Sequence, residues 1–121
     1  SRVVFAGAVK NVEQVYEASD LFITLPIYEP SANLVFEAMA SGLPVITSAF
    51  NGAGELLEEG VTGSVIRNPA DAEAVAEKLL LWTQKRPRRP CPEPLRQFLD
   101  ISRNVGETLS LLEKIVGQRG L

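Results

Sequence analysis

Residues 21–48 read LFITLPIYEPSANLVFEAMASGLPVITS. Leu21 to Leu25 is a nearly continuous apolar run closed by Pro26, the form of a strand buried on both faces, as in a parallel sheet. A loop from Ile27 to Ala32 follows. A helix is predicted from Asn33 to Ala40. Gly42 suits the left-handed position just beyond a helix, and Pro44 prevents continuation. Pro44 to Ser48 reads as the next strand, with proline at its first residue, where it is tolerated.

The same alternation extends on both sides. Val3 to Ala6, closed by Gly7, reads as a short strand. Asn11 followed by Gln14 suggests an N-cap and its partner. The helix from Val12 to Ser19 then places Val12, Val15, Tyr16 and Ser19 on one face. Downstream, Asn51 to Gly54 is turn-rich, and Glu55 to Glu59 forms a helical turn or two stopped by Gly60. Gly63 to Ile66 reads as a fourth strand. Asn68-Pro69-Ala70-Asp71 starts a helix with Asn as cap and Pro at the first position. That helix carries Ala72, Val75, Ala76, Leu79 and Leu80 on one stripe. Strands alternating with helices imply an α/β fold: a partial Rossmann-like parallel sheet flanked by helices.

The composition changes after this. Arg86 to Pro94 holds four prolines, three arginines and Cys91, and reads as an extended linker. A last helix is expected from Ser102 to Val116, with Val105, Leu109, Leu112 and Val116 on one side. The expected division is residues 1–86 as the α/β part, 87–101 as a Pro/Arg-rich linker and 102–121 as a C-terminal helix.

The 121 residues are 45% hydrophobic and 22% charged, ordinary for one globular domain with a modest core. A net charge of -3 gives no general pull on nucleic acid or anionic membrane, so no nucleic-acid partner is expected. No histidine is present, which removes the commonest general base and His-ligated zinc, and no metal is expected. Cys91 is the single cysteine and cannot form an internal disulfide. It reads as a bystander thiol beside Arg88 and Arg89, and a reducing, cytoplasmic setting fits. Walker-type and G-x-G-x-x-G loops are absent.

In open α/β sheets ligands sit outside the carboxyl ends of the strands. Two loops leave such ends: Pro26 to Ala32 and Ala49 to Gly54. The first runs into a helix N-terminus, where backbone N–H groups and the helix dipole favour an anion such as phosphate. Ser31 and Ala32 are small enough to let a ligand approach the backbone. No lysine or arginine occurs between Val12 and Val65, so an anion held there relies on backbone dipoles or on charges from elsewhere. Glu29 lies in this loop and Glu37 in the second turn of the helix, with seven residues between them. Two carboxylates without metal or arginine suit hydroxyl-rich ligands, since each accepts several hydrogen bonds. From pattern alone, Glu37 reads more readily as a solvated helix residue than as a ligand contact, and Glu29 reads equally as a turn residue before Pro30.

The ordered set "VVFAGAV", "YEASDLFITLP", "EAMASGLPVI" and "GVTGSVI", with Glu29 and Glu37 spaced as they are, resembles the C-terminal donor-binding domain of retaining GT-B glycosyltransferases. More narrowly, it resembles the glycosyl-transferases-group-1 family, from about Val3 to Leu80. The resemblance implies that Glu29 binds hydroxyls of a donor sugar and is the catalytic positioning carboxylate. It implies that Glu37 binds the nucleotide's ribose, that the backbone at Ala32, Asn33 and Leu34 cradles the distal phosphate, and that Asn51 and Gly52 line the rim. The family often carries glycine where Ala32 and Asn33 stand. The implied reaction is transfer of a sugar from a nucleotide diphosphate sugar to an acceptor hydroxyl with retention, without further cofactor.

The family's N-terminal acceptor-binding domain has no counterpart in these residues, so the chain alone is expected to be inactive. Self-association through an exposed sheet edge is a further expectation. The cytoplasm is the expected location, with membrane association of the full-length enzyme left open. The alternatives are a non-catalytic α/β module that binds a nucleotide or phosphosugar, and a non-transferring relative such as a nucleotide-sugar epimerase.

Overall fold

A computed structural model describes residues 2–85, 91 and 93–118. The chain forms two compact units, Ser1–Pro90 and Cys91–Leu121. The first holds α1 (Val12–Ala18), β1 (Phe22–Thr24), α2 (Asn33–Ala40), β2 (Val45–Ser48), a 3₁₀ turn (Gly52–Leu56), β3 (Gly63–Ile66) and α3 (Ala72–Lys85). The second holds α4 (Glu93–Leu99) and α5 (Ile101–Gln118).

The sheet of the first unit is parallel, in the order β1-β2-β3. Phe22 stands opposite Val45, and Val45 opposite Gly63. This is an α/β, Rossmann-like arrangement, consistent with a GT-B domain. β2 is central and all four of its residues are buried. Its side chains alternate between faces. Ile46 joins Ile66 and Trp82 in a core cluster flanked by Leu21, Leu25, Val75 and Leu79. α2 lies against β1 and β2, and α3 against β3.

Two expectations about strands are corrected. Val3 to Phe5 forms no strand among the described residues, and Val3, Val4 and Phe5 are exposed. β1 is therefore an edge strand, half-buried rather than buried on both faces, with Ile23 exposed at its centre. An apolar run is buried on both faces when packed layers cover both sides of the sheet, and a strand at the sheet edge is covered less completely. Among the described residues β1 pairs with β2 alone.

α2 has its predicted bounds because its signals are local. Gly42 takes φ 79°. Its N–H bonds the Met39 carbonyl at 3.0 Å and the Leu43 N–H bonds the Ala38 carbonyl at 3.0 Å, a Schellman motif. Leu43 and Ala38 are both buried, which adds the apolar contact of that motif.

α3 starts later than predicted. Asn68 Oδ1 accepts from the Ala70 N–H, making a turn, and Asp71 Oδ1 caps the helix by accepting from the Ala74 N–H at 3.1 Å. Its inner stripe is Val75, Leu79 and Trp82; Leu80 is exposed. The Trp82 indole donates to Ser64 Oγ at 2.9 Å, and Ser64 donates to Glu59 at 2.8 Å. The buried indole N–H is thus satisfied.

The helical turn expected at Glu55 begins at Gly52, because Asn51 caps it. Asn11, in contrast, makes no side-chain cap bond at α1. Of the face predicted for α1, Tyr16 is buried while Val15 is exposed.

The expected extended linker is helical over residues 93–99; Arg86 to Pro90 and Pro92 lie outside the described residues. Pro94 does not break α4 because it falls in the first turn, where its missing N–H has no intrahelical partner to lose. Asp100 then caps α5, accepting from the Ser102 N–H at 2.8 Å. Burial pushes the Cys91 thiol up, with Arg96 opposing and Glu93 adding to the rise. No described helix is long and apolar enough to cross a membrane.

Candidate functional site

Parallel pairing puts the carboxyl ends of β1 and β2 on one rim, so the loops leaving them meet there. They are joined as a short bridge between Glu29 and Asn51. The Glu29 N–H donates to the Phe50 carbonyl at 3.0 Å, and the Gly52 N–H donates to the Glu29 carbonyl at 3.1 Å. Backbone approaches so closely that a Cβ on Gly52 would stand 2.0 Å from the Pro30 carbonyl oxygen. Glycine at position 52 is needed for this contact, rather than for an unusual backbone angle.

Asn51 is buried and its amide is used on three sides. Oδ1 accepts from the Ala53 N–H at 3.1 Å, capping the 3₁₀ turn, and from the Ala32 N–H at 3.4 Å. Nδ2 donates to Thr47 Oγ1 at 3.0 Å. Ser48, at the end of β2, donates its hydroxyl to the Pro26 carbonyl. The two loops are therefore laced together beneath the rim. Asn51 is buried in this lacing, and Gly52 beside it is exposed.

What the rim presents is the remaining set. Glu29 is half-buried, and its Oε1 accepts from the Ser31 N–H at 3.3 Å, which orients the carboxylate across its own turn. Ser31, Asn33, Leu34, Glu37 and Gly52 are exposed, and Ala32 is half-buried. Ala32 precedes α2 with extended backbone and supplies no side-chain cap. Of the first-turn N–H groups, which carry the positive end of the helix dipole, that of Val35 donates to the Ala32 carbonyl at 3.0 Å, while those of Asn33 and Leu34 have no carbonyl four residues back within the helix. Glu37 stands one turn further along α2.

Sequence reasoning placed Tyr16 on the inner face of α1 but gave it no role at the site. Its ring is buried edge-on to Phe22, with centroids 6.0 Å apart. Its hydroxyl donates to Glu37 Oε2 at 3.0 Å and lies 3.5 Å from the Leu34 carbonyl. Burial, then the hydrogen bond to Glu37 and the negative charges of Glu37 and Glu13, push the Tyr16 phenol up to about 12. A tyrosine on the buried face of the preceding helix is common, and nothing in the local pattern names its partner. Among the described residues, no group of three or more acidic, His or Cys side chains is placed to hold a metal ion.

The rim thus combines two carboxylates, a helix N-terminus between them and an exposed backbone with small side chains. Residues 1–84 match the family of glycosyl transferases group 1, and the chain belongs to that family. It is similar to spore coat protein SA of Bacillus subtilis, 39% identical over 83 residues, covering 65% of this chain and 22% of that protein. Sucrose synthase of Acidithiobacillus caldus is 38% identical over 97 residues, covering 80% of this chain and 11% of the synthase. Lipopolysaccharide glucosyltransferase WaaG of Escherichia coli is 32% identical over 102 residues, covering 83% of this chain and 27% of that enzyme. The chain therefore spans about a quarter or less of the length of these relatives.

Proposed function

We propose that this chain is the donor-binding portion of a glycosyltransferase that moves a sugar from a nucleotide diphosphate sugar to an acceptor hydroxyl. The observation that supports the reading is the bridge between Glu29 and Asn51, which ties the loop leading into α2 to the loop after β2, with Glu37 on the helix that follows. In this reading Glu29 receives hydroxyls of the donor sugar. The distal phosphate sits on the backbone at Ala32, Asn33 and Leu34, beside Ser31 and Gly52. Glu37 receives the ribose hydroxyls. Asn51 acts beneath them by holding both loops in place.

Retention of anomeric configuration is the further part of the proposal and rests on the family resemblance. The acceptor oxygen forms its bond to the anomeric carbon on the face from which the bond to the distal phosphate oxygen breaks. The departing phosphate takes the acceptor's proton, so the products are the glycosylated acceptor and a nucleoside diphosphate. Glu29 contributes orientation and charge stabilisation as positive charge develops on the sugar ring. No further cofactor is invoked. The acceptor and the cations that neutralise the diphosphate are assigned to other parts of a longer protein, since residues 13–64 contain no lysine or arginine. The isolated 121-residue chain is accordingly expected to be inactive.

The test is sugar transfer by the full-length protein from a panel of nucleotide sugars. Glu29→Ala is expected to lower the rate by about 100-fold or more. Sugar transfer that is unchanged when Glu29 and Glu37 are both replaced by Ala would remove the enzyme role from this pair, and no transfer from any nucleotide sugar by the unmodified protein would favour the non-catalytic binding module.

A further inference from the structure

Glu37 is an exposed residue of α2, next to the buried Ala38 and Met39. A glutamate in that setting ordinarily samples many rotamers, and a ligand that uses it must first restrict them. Here the restriction is built in. Tyr16 projects from α1, its ring held in the interior and its edge against Phe22 of β1. From that fixed base its hydroxyl reaches Glu37 Oε2 at 3.0 Å. The Tyr16 hydroxyl also lies 3.5 Å from the Leu34 carbonyl, one turn earlier on α2, so the phenol is centred on the turn that carries Glu37. A phenol has one proton to donate, and the shorter contact to a charged acceptor is the stronger one.

We infer that Tyr16 is a positioning residue: its hydroxyl holds the Glu37 carboxylate by Oε2 and turns Oε1 outward to receive the ribose hydroxyls of a nucleoside diphosphate. The inference rests on the reading of Glu37 given under Proposed function. A carboxylate has more acceptor sites than Tyr16 uses, so the pin does not compete with the ligand. It also gives α1 a part in binding, although none of the residues expected to touch ligand lies on it. Tyr16 acts on the ribose only through Glu37, so its effect on affinity exists only when both Glu37 and a ribose hydroxyl are present.

That conditional dependence is the test. Calorimetric titrations of the full-length protein with UDP, ADP and GDP are run beside the dideoxyribose counterpart of each. They use the unmodified protein, Tyr16→Phe, Glu37→Ala and the double variant. Tyr16→Phe keeps the ring and its contact with Phe22. It is expected to weaken the tightest-binding ribonucleotide about fivefold, the size of one lost hydrogen bond, and to leave its dideoxy form within about twofold. In the Glu37→Ala background the same substitution is expected to change neither.

If Glu37→Ala separates the two nucleotide forms but Tyr16→Phe weakens both alike, or neither, the positioning role is overturned and the reading of the site stands. If Glu37→Ala does not separate them, or none of the three nucleotides binds, the reading of the site falls and the inference falls with it. Should Tyr16→Phe fail to fold, a ring-fluorinated tyrosine at position 16 replaces it. Its acidified hydroxyl is expected to change the ratio of the two affinities only while Glu37 is present, and an unchanged ratio overturns the inference.

Discussion

Glu29 and Asn51 face each other across a two-bond parallel bridge that lies outside the named strands of the sheet. The bridge extends the β1–β2 pairing past the strand ends and into the two loops. It turns what would otherwise be independent surface connections into one rigid rim. The carboxylate of Glu29 gains a fixed backbone, and the start of α2 gains a fixed entry angle. Both follow from one short stretch of backbone pairing with a buried asparagine under it.

Removing that asparagine is expected to be costly. Asn51→Ala leaves the Ala32 and Ala53 N–H groups and the Thr47 hydroxyl without the partners they have now. A lost cap and buried unsatisfied groups together predict a destabilisation of about 2–3 kcal/mol. Asn51→Asp keeps the acceptor and is expected to lose about 1 kcal/mol or less. Urea denaturation of the three proteins measures both.

Gly52→Ala tests the close approach of the loops separately from Asn51. The added Cβ meets the Pro30 carbonyl oxygen at 2.0 Å, and backbone oxygen cannot move aside as a side chain can. The loops must separate, with an expected loss of about 1–3 kcal/mol in thermal unfolding. Weaker nucleotide binding should accompany it, because the phosphate-facing backbone shifts with the loop.

Acid weakens the fold through Glu59. Burial pushes this carboxyl up, but the Lys78 ammonium, the Ser64 hydroxyl and the Val65 N–H together outweigh it and hold Glu59 below its ordinary value of 4.5. A folded value below the unfolded one means that the stabilisation is complete above about pH 4.5 and is lost as pH falls through the folded value. Glu59→Gln is expected to flatten the acid limb of a stability-versus-pH curve. Added salt should change this effect only modestly, because the hydrogen bonds from Ser64 and Val65 are not screened as an exposed ion pair is.

Alkali acts through Tyr16, with the opposite sign. Its phenol is raised from 10.0 to about 12. Its stabilisation is therefore complete below about pH 10 and is lost as pH rises towards 12. In Tyr28→Phe, which leaves Tyr16 as the only tyrosine, tyrosinate absorbance is expected to rise with a midpoint near pH 12. Replacing Glu37 by Gln should lower that midpoint, since Glu37 contributes both a hydrogen bond and a negative charge.

What could be read from the sequence is what neighbouring residues decide. Ser41-Gly42-Leu43-Pro44 ends α2 and starts β2 with signals only a few residues apart: α2 ends at Ala40 as expected, and β2 begins at Val45, one residue after the expected Pro44. The parallel α/β class follows from the alternation of such segments. Features that depend on distant partners were not legible. β1 looks like a doubly buried strand because its apolar run says nothing about whether a second neighbour pairs with it. Asn68 looks like a cap, yet Asp71 takes that position because the Asn68 side chain closes a turn on Ala70 first. The prolines around Cys91 suggest an extended segment, although Pro94 fits the first turn of α4. At the site, Glu29 and Glu37 stand out through the family resemblance of the whole ordered set of segments. The sequence does not reveal that Asn51 is buried beneath the rim, or that Tyr16, 21 residues before Glu37, bonds its carboxylate.

The most direct test of the central claim is a crystal structure of the full-length protein with a nucleotide diphosphate sugar bound. The account predicts sugar hydroxyls on Glu29, the distal phosphate on the backbone N–H groups at the start of α2, and the ribose hydroxyls on Glu37 with Tyr16 still bonded to it. A nucleotide sugar lying elsewhere, or lying on this rim with its ribose at Glu29 and its sugar at Glu37, would contradict it.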